Sequence, residues 1–255
     1  MLHRRSLALA TVFLLSACTD DPGATPILVC AGTTPTNHGE GTYYAATGAG
    51  NCGFPATPSD LMVAAMNHTD YAGSAACGAC VAIDGPAGSV TVRIVDQCPE
   101  CAQGDIDLSR EAFQLIAPLS AGRVPIDWRY VPCTVTSGIV YHFKNGSNPS
   151  WTAVQIRNHA LPVATFEYLG QDGVFHDVPR VDYNYFIADH GMGAGPFTFR
   201  VTDVEGNVIE DSGIPLLDDD NYPSSSQFGM CKRGAPARGA LGAADRLPPR
   251  GPRPP

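Results

Sequence analysis

The chain has 255 residues, 44% hydrophobic and 16% charged, enough for one large domain or two of ordinary size. Its 27 glycines and 22 prolines are too many for a helical protein and suit a turn-rich, mostly β one. Residues 18–231 hold 8 basic and 24 acidic groups, a net −16; such a body repels nucleic acid and anionic polymers such as pectin, and accepts a neutral partner more easily.

The N-terminus "MLHRRSLALATVFLLSAC" has a basic start (Arg4, Arg5) and an apolar run from Leu7 to Leu15, too short to span a membrane. It predicts a signal peptide over 1–18. Its ending "LSAC" resembles a bacterial lipobox, which makes Cys18 the expected lipidation site; Thr19 after it favours sorting to the outer membrane. Residues 19–37, rich in Thr, Pro and Gly, read as a flexible tether.

The first folded segment is expected over 38–136. "PSDLMVAAM" predicts a short helix with Ser59 as N-cap. "VAIDGPAGSV" reads as a strand and a turn, leading into "GSVTVRIVD", where Val90, Val92 and Ile94 alternate with their neighbours as in a half-buried strand. "LSREAFQLIA" predicts a second helix, capped by Ser109, with Glu111 in its first turn and Pro118 ending it. "DWRYVPCTV" closes the segment as a strand. From 138 to 231 the chain is nearly all short alternating strands, with turns at Asn145-Gly146, Asp172-Gly173 and Glu205-Gly206-Asn207. That spacing predicts a β-sandwich. Residues 232–255 carry six Lys or Arg with no apolar period and read as a disordered basic tail.

Apart from Cys18 there are eight cysteines, an even number that in an exported chain points to disulfides. "CGAC" and "CPEC" have the spacing of a zinc ribbon, so spacing alone leaves zinc open, while the oxidising compartment argues against it. A redox dithiol fits poorly, because "CPEC" opens no evident helix. In "TVRIVDQCPECAQGDIDLS", Asp96 ends a strand and Asp107 stands before a helix after a ten-residue loop. Both can reach one concave face, as a glycosidase acid pair requires. They can equally be a turn residue and a helix-approach carboxylate.

Six stretches together resemble a bacterial expansin: "GTYYAATGAGNCGFP", "ACGACVAIDGP", "VRIVDQCPECAQGDIDLSREAF" and "DWRYVPC" in the first segment, "AVQIRNHALPV" and "VDYNYF" in the second. The resemblance implies a mainly β protein: a six-stranded double-psi β-barrel over 38–136, then an immunoglobulin-like β-sandwich over 138–231 that binds cellulose. It implies loosening of cellulose networks without hydrolysis, no cofactor and no metal. Asp107 matches the family's general-acid-like groove aspartate, Asp96 its second acidic position, and Thr42 and Tyr44 the polar and aromatic groove positions. In the second domain Trp151 and Tyr183 match platform aromatics and Lys144 a basic position beside them.

Three departures stand out. Cys98 replaces a groove tyrosine of disulfide-free members, so that Glu100 faces either the groove or water. Ser150 stands where a third aromatic is common. No acid lies in 41–55 to serve as a hydrolytic base, Glu40 being the nearest. By resemblance Cys52 pairs with Cys77 and Cys80 with Cys133; Cys98–Cys101 would rigidify the groove loop, and Cys30–Cys231 is left by elimination. The expected partners are cellulose and related β-glucans, with xyloglucan or peptidoglycan as further candidates. Nucleic acid is not expected, and membrane contact is expected only through lipid on Cys18, for a monomer at the cell surface or outside it. The competing readings are an endoglucanase or peptidoglycan lytic transglycosylase using Asp107 as general acid, and a non-catalytic carbohydrate-binding lipoprotein.

Overall fold

The computed structural model describes residues 28–30, 35–229 and 231–233, the first and last of these as backbone strands only. The expectations for Cys18, the signal peptide, most of the tether and the basic tail lie outside the described residues. So do the side chains of Cys30 and Cys231, whose strands β1 (Leu28–Cys30) and β16 (Cys231–Arg233) pair as a two-stranded sheet.

Six strands close into a barrel: β2 (Asn37–Tyr44), β3 (Val63–Asn67), β4 (Cys80–Gly85), β5 (Gly88–Cys98), β6 (Ile106–Ser109) and β7 (Val124–Val131), in the order β2-β6-β3-β5-β4-β7. The β2/β6 and β3/β5 pairs are parallel and the other four antiparallel. Closure leaves no free sheet edge. The alternation in β5 is realised: Val90, Val92 and Ile94 are buried, while Ser89 and Thr91 face solvent. They pack with Met66, Ile83, Leu108, Phe113 and Trp128.

The expected helix in "PSDLMVAAM" is a strand instead. Val63–Asn67 lies between β5 and β6, and all five residues are buried. A strand buried on both faces shows no alternation, so a short Ala-rich apolar run is ambiguous in sequence, and its two long-range partners decide it. The helix starts later: α1 (His68–Tyr71) is capped by Asn67, whose Oδ1 accepts from the Asp70 N–H at 2.9 Å. The second helix, α2 (Arg110–Ile116), forms as its signals indicate. Ser109 Oγ accepts from the Ala112 N–H at 3.0 Å and donates to the Leu61 carbonyl at 2.5 Å. Ser109 is fully buried, so Ser109→Ala removes a cap and leaves the Leu61 carbonyl without this donor. The expected loss is about 2 kcal/mol, at the upper end for caps, read from urea unfolding.

The remaining strands form two antiparallel four-stranded sheets. One runs β11 (Phe175–Asp177), β10 (Val163–Leu169), β13 (Phe197–Asp203), β14 (Val208–Ile214). The other runs β12 (Phe186–Ala188), β9 (Thr152–Arg157), β8 (Val140–Phe143), β15 (Asn221–Pro223). Tyr141, Phe143, Val154, Ile156, Phe166, Phe199 and Val201 are buried in their common core. The Asp172-Gly173 and Glu205-Gly206-Asn207 turns join β10 to β11 and β13 to β14.

Among the described residues, three disulfides join Cys52 to Cys77, Cys80 to Cys133 and Cys98 to Cys101. "CGAC" and "CPEC" are therefore consumed by disulfides, with no thiolate left in either for zinc.

Candidate functional site

Pairing between distant strands builds the groove. In the parallel β2/β6 pair Thr42 lies opposite Asp107; Ala65 of β3 lies opposite both Asp107 and, across β5, Asp96. Paired residues project to the same side of a sheet, so Thr42, Asp107, Ala65 and Asp96 form one row across four strands. Ala65 is the small member, and its short side chain leaves a trough between the two carboxylates. Two strand spacings, about 10 Å, separate their backbones. The strand position of Asp107, on β6 rather than in a loop, is what sets this geometry.

The two aspartates differ in environment. Asp107 accepts from Thr42 Oγ1 at 2.6 Å and is half-buried. Burial raises its carboxyl above the ordinary value; the Thr42 hydrogen bond opposes, and the Glu100 charge adds to the rise. Asp107 therefore keeps a proton to higher pH than a free aspartate, as a hydrogen-bond donor or general acid must. Asp96 is instead a loop anchor: its Oδ1 accepts the backbone N–H of Asn51 (2.7 Å) and of Gln97 (2.8 Å). A Cβ on Gly50 would come within 2.3 Å of the Asp96 carboxyl carbon, so only glycine lets the loop lie flat on it.

Tyr44 follows Thr42 by two residues on the same face of β2. Its hydroxyl is buried and has no hydrogen-bond partner among the described residues. Burial, then the charges of Asp96 and Asp107, push its pKa far up, so the phenol is a permanent donor. A buried donor of this kind is where an enclosed water would complete the bonding. Glu40 cannot serve freely as a base, because its carboxylate pairs with Arg123. Glu100 is exposed on the loop closed by Cys98–Cys101 and acts on Asp107 through its charge.

On the second domain, alternation along β9 sends Val154 and Ile156 into the core and Ala153, Gln155 and Arg157 to the opposite face. That outer face carries Tyr185, which sequence reasoning missed. Lys144 Nζ lies 5.0 Å from the centre of its ring, Tyr183 at 6.0 Å and His142 at 6.1 Å. Tyr185 is only 6% exposed and Tyr183 39%, so the first supports the second. The spacing Tyr183-x-Tyr185 is the signal that could have found it. Trp151 stands partly exposed just before β9, bridged to Asn148; the structure records no contact joining it to Lys144 or Tyr183.

Asn51 links the groove to this face. Its N–H holds Asp96, while its Nδ2 donates to the Tyr71 hydroxyl (2.9 Å) and the Asp182 carbonyl (3.0 Å), next to Tyr183. Gln155 and Asn184 side chains donate to the Cys52 carbonyl, and Ser74 Oγ to that of Val181. The groove loop and this face are thus joined through polar contacts, of which those to the Cys52 carbonyl are buried.

This arrangement has relatives. The chain is 38% identical over 164 residues to Expansin-YoaJ of Bacillus subtilis (strain 168), covering 63% of this chain and 69% of that protein. The chain belongs to the expansin family. The crystal structure of apo Clavibacter michiganensis expansin matches with a TM-score of 0.71 and 32% identity, over 76% of this chain and 98% of that one. A mutant of the Clavibacter expansin, solved in complex with cellohexaose, matches with the same TM-score and 31% identity, over the same shares of the two chains. A family model described as lytic transglycolase matches residues 37–128, the barrel. As an expansin, the protein is mainly β, with a closed six-stranded barrel and further β-sheets.

Proposed function

We propose that this expansin is exported, binds cellulose along the surface from Thr42 through Asn51 to Tyr183, and loosens cellulose networks without cutting them. The observation that carries the reading is the row Thr42–Asp107–Ala65–Asp96 across four strands. These groups offer hydrogen bonds to glucan hydroxyls in place of glucan–glucan ones. Each exchange is worth about 1 kcal/mol net, so binding is multivalent along a chain. Tyr183, Trp151 and Lys144 supply the platform: aromatic faces bury the apolar faces of pyranose rings. Cellohexaose bound to the Clavibacter relative supports this choice of ligand. Xyloglucan and peptidoglycan remain candidates of the same polymer class, and lipid on Cys18 would hold the protein at the membrane.

The test uses the purified protein on crystalline cellulose paper, following tensile strength and soluble sugar in the same strips. The expected result is weakening without sugar. Intact strips with no binding would defeat the reading. For the platform, Trp151→Ala is expected to lower cellulose pull-down about tenfold, the scale of one lost aromatic contact, with unfolding unchanged.

Two observations favour a second reading, glycan cleavage by Asp107 as general acid. Its raised carboxyl pKa suits that role, and the matching barrel model is described as lytic transglycolase. A lytic transglycosylase needs only one acid; hydrolysis also needs a base, and Asp96 is engaged by two backbone amides while Glu40 is paired. Sugar or muropeptide release abolished by Asp107→Asn would establish this reading instead.

A further inference from the structure

A cleft of about 460 Å³ lies between the barrel and the β9 end of the sandwich, away from the row of groove carboxylates. Its volume suits one or two sugar rings. Phe54, Arg93, Thr134, Arg157 and His159 line it, and Asp60 is the sole carboxylate among its lining residues. Two of the eight basic side chains of a strongly acidic body therefore meet in one place.

Arg93 is the distinctive group. Its guanidinium sits 5.6 Å from the centre of the Phe54 ring, half-exposed, and forms no ion pair among the described residues. A guanidinium held over an aromatic face keeps its five N–H donors available to an anion. Across the cleft, Arg157 Nε donates to Gln155 Oε1 at 2.5 Å, which holds that second cation in place. His159, 4% exposed, closes the inner wall. A guanidinium fork presented this way matches a carboxylate in bidentate fashion, which a neutral sugar cannot offer.

We infer that the cleft is a second glycan site, taking the carboxylate of a hexuronic acid residue on Arg93, with the ring against the apolar wall. The body charge of −16 selects among sources. A long polyanion is repelled as a whole, whereas a neutral glycan carrying isolated uronosyl side groups presents one carboxylate at a time. The cleft thus recognises a sparsely substituted matrix glycan beside the surface proposed for cellulose, and does not depend on that surface being correct.

The test is calorimetric titration of the full chain with methyl β-D-glucuronide, methyl β-D-glucoside and polygalacturonate, with amide chemical-shift mapping of the first. The expected result is saturable 1:1 binding of the glucuronide, weakened about tenfold or more by Arg93→Gln. Shifts are expected at Thr91 and Asn158 in the cleft, and cellulose pull-down should be unchanged. Arg93→Lys, which keeps the charge and loses the fork, should bind between the two, and thermal unfolding of both variants checks that they fold. Equal binding of glucoside and glucuronide, shifts confined to Asp107 and Tyr183, undiminished binding by Arg93→Gln, or no saturable heat would each overturn the proposal. Polygalacturonate binding tighter per residue than the monosaccharide would overturn the choice of a sparsely charged source.

Discussion

Asp107→Asn is expected to abolish wall loosening while leaving the fold as stable as before, or more stable. The carboxyl of Asp107 is held up by burial and by the Glu100 charge, so its ionised form is disfavoured in the folded state. The sign follows from linkage. A carboxyl whose folded pKa is raised contributes stability below its unfolded value near 3.8, lost as pH rises through the folded value. Asparagine removes that loss, and its amide oxygen still accepts from Thr42 Oγ1. What it cannot do is give a proton or make a charge-assisted bond to a sugar hydroxyl. Affinity for soluble cello-oligosaccharide should fall about tenfold to a hundredfold, the scale of one charge-assisted hydrogen bond. Paired measurements of paper weakening and urea midpoint at pH 7 decide it. Full loosening by the variant would remove Asp107 from the mechanism, and a large loss of stability would make it a structural residue.

The second large effect is acid destabilisation through His159. This ring is buried at the junction of barrel and sandwich, against Gly78, where a Cβ would lie 2.6 Å from its Nε2. Burial, then the Arg180 and Arg93 cations, lower its pKa from 6.5 to about 4; the backbone of Leu161 opposes the shift. A histidine with a depressed folded pKa costs stability as pH falls. The unfolded chain takes up the proton near 6.5, and the folded one resists until about 4. The full difference approaches about 3 kcal/mol, most of it developed between pH 6.5 and 4. It is measured as the change in urea midpoint across that window, wild type against His159→Leu. The wild type should lose stability and the variant much less. Parallel slopes would show that His159 is hydrogen-bonded or hydrated in a way that lets it protonate.

Much of the fold was legible because the signals are local. The alternation Val90, Val92, Ile94 predicts β5. Ser109 before an apolar run predicts α2, because a cap acts on an amide three residues away. Asp172-Gly173 predicts the turn into β11. The misread element is the one whose pattern is not local: Met62–Met66 has no period, and β3 is a strand because β5 and β6 lie on either side of it.

The candidate site divides in the same way. Residue type marks Asp96, Asp107, Thr42, Tyr44, Trp151 and Tyr183 as capable of binding a glycan, and the resemblance of six stretches to expansins names the family. Which of these groups meet is decided by pairing across 65 residues, which sets Thr42 against Asp107, and across 131, which sets Asn51 against Asp182. Tyr185 beneath Tyr183, Asp96 as a loop anchor, and Arg93 laid over Phe54 in the junction cleft come from that tertiary structure alone. Composition and periodicity report what each residue can do with its near neighbours. Burial and the approach of distant strands then determine which carboxyl keeps its proton and which cation forms no ion pair among the described residues.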